Sequence, residues 1–372
     1  MRSMVLTCAV VLCLPIAGSV GQSPDVRIEP FPERPYLNAT RGGLELHNDF
    51  IVSNDTARSL TLTRVEMSVF GRDGRLVQRR FVSAANGGPN SGLLTIPRRE
   101  VGPGEKLTLF NPFHVLDADL EIGRAVFEFT LAGAEATVTR SVPVHPVRYE
   151  SSTSLELPLR GRSLVWDGHD FYSHHRRQDP SRLPLAEGGI LDVPVRYAYD
   201  FSVVDEAGDL HRGEAAVPTE WYGYGASVHA PGSGVVVAVA NEVPDNRIVD
   251  GRLRYPRPPP AALNARLLGN HVVIDHENDE YSVLAHLRAG SVTLRTGDRV
   301  TRGDRLGEIG FSGDTGFHVH VHYHLASGAD LFGTRALPAQ FERFSRVVGS
   351  RTVFTERGPI ATGDILVSNA GR

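Results

Sequence analysis

The stretch from Phe317 to Leu325, FHVHVHYHL, sets an imidazole at every second position: His318, His320, His322 and His324. Two is the strand period, so in an extended chain the four rings leave one face while Val319, Val321 and Tyr323 leave the other. Alternate strand residues stand about 6.5 Å apart, near enough for two tilted rings to meet on one small object. Imidazole is the commonest side-chain metal ligand and titrates near neutral pH. The pattern offers a metal or proton-transfer site. The competing reading is a solvated strand face, or a His-rich tract that binds metal weakly.

Cysteine usage narrows the chemistry. The chain opens MRSMVLTCAVVLCLPIAGSVGQS, one arginine before an apolar run that ends in small residues, which is the layout of a secretory signal peptide over residues 1–21. The run is short for a membrane span, and no later stretch reaches that length. Both cysteines, Cys8 and Cys13, lie inside it, and Leu12 precedes Cys13 where a lipoprotein signal would want a small residue. The mature chain, expected to be secreted or periplasmic, then has no disulfide and no thiolate ligand, so a metal must be held by histidine and carboxylate. A net charge of −4 and a pI near 6.4 give no basic stripe for nucleic acid. The 372 residues, 41% hydrophobic with a mean hydropathy of −0.17, describe a chain able to bury real cores.

The elements that must position a site are strands. From Val26 to Val147 short alternating runs recur. Leu60 and Leu62 are followed by Val65, Met67 and Val69, then a turn at Asp73-Gly74; AVFEFTL alternates Ala125, Phe127, Phe129 and Leu131. Asp-Gly between alternating runs is a hairpin signal, and the spacing predicts an immunoglobulin-like β-sandwich over residues 22–147. The apolar parity changes between Leu62 and Val65, which predicts a bulge or bend at Thr63-Arg64. Prolines and serines near 145–155 mark a boundary. Residues 148–372 carry further β runs and no long helical period, so the whole chain is expected to be mainly β. NEVPDNRIVDGRLRYPRPPPAALNARLL, Asn241 to Leu268, is expected to be a long irregular loop, either a binding element or a plain surface insertion.

Four segments taken together, YGYGASVHAPGSGVVVAVAN, GNHVVIDHENDEYSVLAHL, GDRVTRGDRLGEIGFSGDTG and HVHYHL, resemble the lysostaphin-type (LytM-like) zinc metallopeptidases over roughly residues 165 to 327. The resemblance implies a C-terminal antiparallel β peptidase domain within 148–372, followed by a C-terminal extension. It makes His322 a zinc ligand, His320 and His286 the two catalytic histidines, and Asp200 of RYAYDF the carboxylate ligand. The family's first ligand stands four residues before that carboxylate, where this chain has Arg196, whose guanidinium cannot ligate. GHDFYSHHRR upstream offers His169, His174 and His175. His169 follows Gly168 like a turn residue, and of the adjacent pair the resemblance favours His175, with His174 left as the alternative.

Three protein ligands and one open position form a catalytic zinc site, and two further histidines remove the need for a carboxylate base. His318 and His324 are expected to flank the site. His229, His271 and His276 read as strand or turn residues, Asp314 as a turn residue, and Asp275 and Glu280 as solvated. The reading implied is a secreted, Zn2+-dependent endopeptidase acting on the peptide stems or cross-links of peptidoglycan. The alternative is a degenerate relative that binds cell wall or activates another hydrolase, and a third is a binding protein whose N-terminal sandwich carries the function.

Overall fold

The computed structural model describes residues 25–85, 88–89, 91–180 and 190–369; the expected signal peptide lies outside the described residues. Strands dominate, and the chain is mainly β as its alternation demands. One apolar cluster draws on residues 26 to 144, and a second on residues 155 to 366.

The first cluster is enclosed by three sheets. Val26–Phe31, Asp49–Asn54 and Glu105–Phe110 form one, and Gly43–Leu46 and Tyr36–Thr40 lie in a second. Thr137–Val144, Ile122–Ala132, Leu60–Gly71 and Leu76–Ala85 run consecutively in the third. Phe50 of the first sheet meets Phe127 and Phe129 of the third, each at 4.7 Å between ring centroids, so the two apolar faces close on each other. The Asp73-Gly74 turn joins Leu60–Gly71 to Leu76–Ala85, with Gly74 at φ 79° as such a turn requires. Against Ile122–Ala132 the register passes from Arg64↔Thr130 to Leu62↔Leu131. Thr63 is therefore the extra residue of a bulge, and that is what lets Leu62 and Val65 face the same core.

The second cluster lies under a long, largely antiparallel sheet. Its centre runs Gly234–Ala240, Asn270–Asp275, Tyr281–Leu287, Val321–Ala326, Tyr199–Val203 and Arg162–Asp167. Phe201, Val321, Tyr323 and Leu284 fill the apolar face, which leaves the alternate residues of the same strands for the other face. Two expectations need correction. Asn241 to Leu268 is not irregular throughout: Arg247–Val249 pairs with Arg252–Arg254, and Leu263–Leu268 is a short helix. Glu280 is not solvated but buried. Its carboxylate accepts from the Tyr149 hydroxyl at 2.6 Å and from the Ser152 and Thr153 amides at 2.7 and 2.8 Å, which fastens the 149–153 stretch to the sheet.

Candidate metal centre

Three neighbouring strands build the site. Tyr199–Val203 pairs with Val321–Ala326 so that Asp200 faces His322, and Ala285 faces His322 from the other side. Cross-strand partners share a face, so strand register alone brings the carboxylate to the imidazole. The strand itself begins only at Val321, so His318 and His320 precede it rather than belonging to it. All four histidines are nonetheless buried, which removes the solvated-face reading. His286, at the end of its strand, has φ 62°. A branch-free β geometry would send its ring elsewhere; this rare backbone conformation turns it into the cluster.

His175 arrives from the turn segment 168–178, not from a strand. Adjacent residues in a turn need not diverge, and the His174 and His175 ring centroids lie 3.9 Å apart. His175 Nε2 is 3.5 Å from Asp200 Oδ1, and His174 Nε2 is 4.0 Å from Asp200 Oδ2. His175 is buried whereas His174 is largely exposed and paired with Asp167. His169 lies in the same turn segment but is buried, and its Nε2 lies 2.8 Å from the Tyr199 hydroxyl.

Three ring nitrogens converge on Asp200 Oδ1: His322 Nδ1 at 3.1 Å, His320 Nε2 at 3.2 Å and His175 Nε2 at 3.5 Å. The second nitrogen of each ring is engaged. His175 Nδ1 donates to the Gly168 carbonyl at 3.0 Å, His320 Nδ1 to the His318 carbonyl at 3.0 Å, and His322 Nε2 pairs with His324 Nδ1 at 2.9 Å. His286 Nδ1 donates to the Ser312 carbonyl at 2.8 Å, which fixes its tautomer and leaves Nε2 toward the cluster. Its ring centroid lies 4.8 Å from that of His320 and 5.8 Å from that of His322.

The electrostatics favour a cation. Burial pushes the His175 imidazole down to about 3 despite Asp200, so it is neutral at pH 7 and directs a lone pair at a carboxylate. Burial, with His320 and His322 nearby, likewise holds His286 well below the usual histidine range. Burial would raise Asp200, yet the surrounding histidines hold it ionised, well below its usual range. A lone pair facing a carboxylate at hydrogen-bond distance is unfavourable unless something positive stands between them. His175 Nε2, Asp200 Oδ1 and His322 Nδ1 lie within 4.8 Å of one another. Zinc bonds of about 2.0–2.2 Å at tetrahedral angles need donor atoms about 3.4 Å apart, so the residues fit the ion.

A cavity of about 580 Å³ opens onto these atoms, lined also by Trp166, His174, Leu267, Leu331 and Phe332. Trp166 packs on His318 at 4.3 Å, and His318 Nε2 lies 2.8 Å from the Ser202 hydroxyl. Arg196, where the family resemblance expects a ligand, is fully buried and turned away: Nε donates to Asp192 at 2.6 Å and Nη1 to Asp49 at 2.9 Å. Asp49 also takes both Nη atoms of Arg176, at 2.6 and 3.0 Å. Nothing local in the sequence marks Asp49, because its partners stand 127 and 147 residues away. His324, which the alternation already puts on the face of His322, sets its Nδ1 2.9 Å from His322 Nε2.

Asp200 and His322 on the central sheet and His175 from the turn segment form a donor group that could hold a metal ion, with His286 and His320 beside it. The chain carries a peptidase family M23 domain: residues 221–331 match that family, a span that holds His286, His320 and His322 and begins after His175 and Asp200. No curated protein matches the chain. Among solved structures, it is similar to the catalytic domain of the prophage-encoded M23 protein EnpA from Enterococcus faecalis, at 18% identity over 38% of this chain and 73% of that one, TM-score 0.24. A putative peptidase M23 from Pseudomonas aeruginosa is 14% identical over 72% of this chain and 87% of its own, TM-score 0.27. A zinc-containing peptidase from Vibrio cholerae is 11% identical over 73% and 86%, TM-score 0.27.

Proposed function

We propose that the protein is a secreted, zinc-dependent endopeptidase that cleaves the peptide stems or cross-links of peptidoglycan. The observation that carries this reading is the convergence of His175 Nε2 and His322 Nδ1 on Asp200 Oδ1, with His286 and His320 beside them. His175, Asp200 and His322 would hold the ion, which when bound supplies a Lewis acid and a water of lowered pKa. His286, its Nδ1–H committed to Ser312, offers Nε2 as a proton acceptor within the cavity. His320, its Nδ1–H given to the His318 carbonyl, presents Nε2 to the same space and, when protonated there as an imidazolium, would donate to an oxyanion as it forms. His324 engages the far nitrogen of His322 and so fixes the orientation of that ring. The apolar side chains of Leu267, Leu331 and Phe332 in the cavity lining would exclude water from a bound peptide. Signal peptide, substrate and the role of each histidine are parts of this proposal.

The relative without activity is favoured by one feature, the Arg196 departure. Against it stands the retention of both non-ligand histidines in the cavity. The deciding experiment incubates the zinc-loaded mature chain with purified peptidoglycan and counts newly released amino groups, with Asp200→Ala as control. Release by the native chain alone is the expected result. Wall binding and zinc retention without release would install the non-catalytic reading instead.

A further inference from the structure

A second cluster of metal-type ligands lies outside the site just described. Glu45 ends the strand Gly43–Leu46 one residue short, His47 follows that strand, and His169 comes from the turn segment that also carries His175. One donor atom from each lies within 4.8 Å of the others. Glu45 Oε2 is 2.5 Å from His47 Nε2 and 4.0 Å from His169 Nδ1. Those distances bracket the separation of about 3.4 Å that zinc-type donors need, so a carboxylate shift under about 1 Å would equalise them.

Three further observations point to a ligand. His169 is 5% exposed, and its Nδ1 is buried without any hydrogen-bond partner. Its Nε2 meets the Tyr199 hydroxyl at 2.8 Å, and with Nε2–H donated there, Nδ1 keeps its lone pair on the cluster side. Burial holds His47 well below the usual histidine range and pushes His169 down to about 4, so both imidazoles are neutral and able to ligate at pH 7. The surrounding charge is also suitable. Arg176 and Arg196 are matched by Asp49 and Asp192, and Glu45, whose carboxyl burial raises, has only His47 and His169 within ion-pair distance among the described residues. Glu45 keeps 15% of its side chain exposed, giving a route for an ion and for water as a fourth ligand.

We propose that Glu45, His47 and His169 form a second, structural site for a divalent cation of the zinc class, tying the N-terminal sheets to the segment that supplies His175. Two imidazoles and a carboxylate are a zinc-type donor set and a poor one for magnesium or calcium. This site is independent of any hydrolytic activity, so it stands or falls apart from the peptidase reading.

The test is metal content of the full mature chain, reconstituted with zinc, desalted and measured by mass spectrometry. The native chain should retain about two equivalents, Asp200→Ala about one, and Asp200→Ala with Glu45→Gln none. Glu45→Gln preserves shape, and near-ultraviolet circular dichroism checks that it folds. His169→Asn in the Asp200→Ala background is the second variant should that one misfold. A native chain with one equivalent, lost on Asp200→Ala, would overturn the proposal and leave Glu45 and His47 as a pair sharing a proton. Retention of an equivalent in both double variants would place the second ion elsewhere and overturn it equally.

Discussion

Replacing Asp49 by asparagine should destabilise the protein out of proportion to the two atoms exchanged. The carboxylate accepts three hydrogen bonds from two guanidinium groups, at 2.6, 3.0 and 2.9 Å, and Asp49, Arg176 and Arg196 are each at most 1% exposed. Asparagine keeps one acceptor oxygen and turns an NH₂ toward a cation. Arg196 retains Asp192, but Arg176 keeps only the one remaining oxygen and the Asn48 carbonyl at 3.3 Å and loses its carboxylate counter-charge. Losing one to two charge-assisted bonds at about 1.5–3 kcal/mol each, and burying an unmatched charge, gives about 3–5 kcal/mol. Urea unfolding followed by the fluorescence of Trp166 and Trp221 reads this as a lower midpoint at unchanged slope. Because Arg176 follows His175, zinc affinity measured against a competing chelator should also fall, by about 10–100-fold. The Asp49→Asn and Arg176→Met changes should be strongly non-additive. A loss below about 1 kcal/mol, or additivity within about 0.5 kcal/mol, would refute the reasoning.

His175→Ala should abolish zinc retention while His174→Ala leaves it in place and weakens turnover, as equilibrium dialysis and a hydrolysis assay will read; unchanged zinc in both variants sinks the ligand assignment. His286→Ala should keep its zinc and lose about 10²–10⁴-fold in kcat, and a change in metal content instead would make His286 a ligand. Burial alone would raise Asp49, but Arg176 and Arg196 hold its carboxyl below the usual carboxylate range. Its contribution to stability is thus complete above the unfolded pKa of about 3.9 and is lost as pH falls through the depressed folded value. Acid titration of Asp49→Asn should therefore show a shallower fall below pH about 4 than the native chain, and identical slopes would remove Asp49 from the acid transition.

What was legible in the sequence was what strand periodicity encodes. The alternation of Leu60 to Val69 marks its strand, and the parity break inside it marks the bulge at Thr63. Alternation puts Asp200 opposite in face to Tyr199 and Phe201, and His322 opposite in face to Val321 and Tyr323. The register that sets the two against each other joins residues 122 apart in the chain and has no local signature. Glu280 was misread because its partners, Tyr149 and the 152–153 amides, are more than a hundred residues away, and a charged residue beside a turn looks solvated until they are known. The same blindness hid Asp49 and the Glu45–His47–His169 cluster. In these two a side chain from the N-terminal sheets meets one from the stretch 169–196, and no local pattern records such a meeting. The ring orientation of His286 was hidden differently, since a left-handed backbone on a non-glycine residue carries no sequence signature.

Arg196 and His175 are best understood together. The ladder between Tyr199–Val203 and Val321–Ala326 fixes one carboxylate and one imidazole, and it leaves the third ligand to whatever lies near Asp200 on the same face. An arginine four residues upstream, were it to point there, would set a permanent cation against the ion. In this chain that charge is drawn off by Asp192 and Asp49, and the Asp49 carboxylate also grips Arg176. One buried acid from the N-terminal sheets, Asp49, thus removes a misplaced cation and holds the residue beside the proposed ligand His175. A turn segment is a poor platform for a metal ligand, because few contacts of its own define it. Anchoring at Arg176, together with the Gly168 carbonyl on His175 Nδ1, supplies the definition that a strand would otherwise give. On this reasoning the N-terminal sheets are part of the metal centre's framework, and removing them should cost the centre its third ligand before it costs the central sheet its fold.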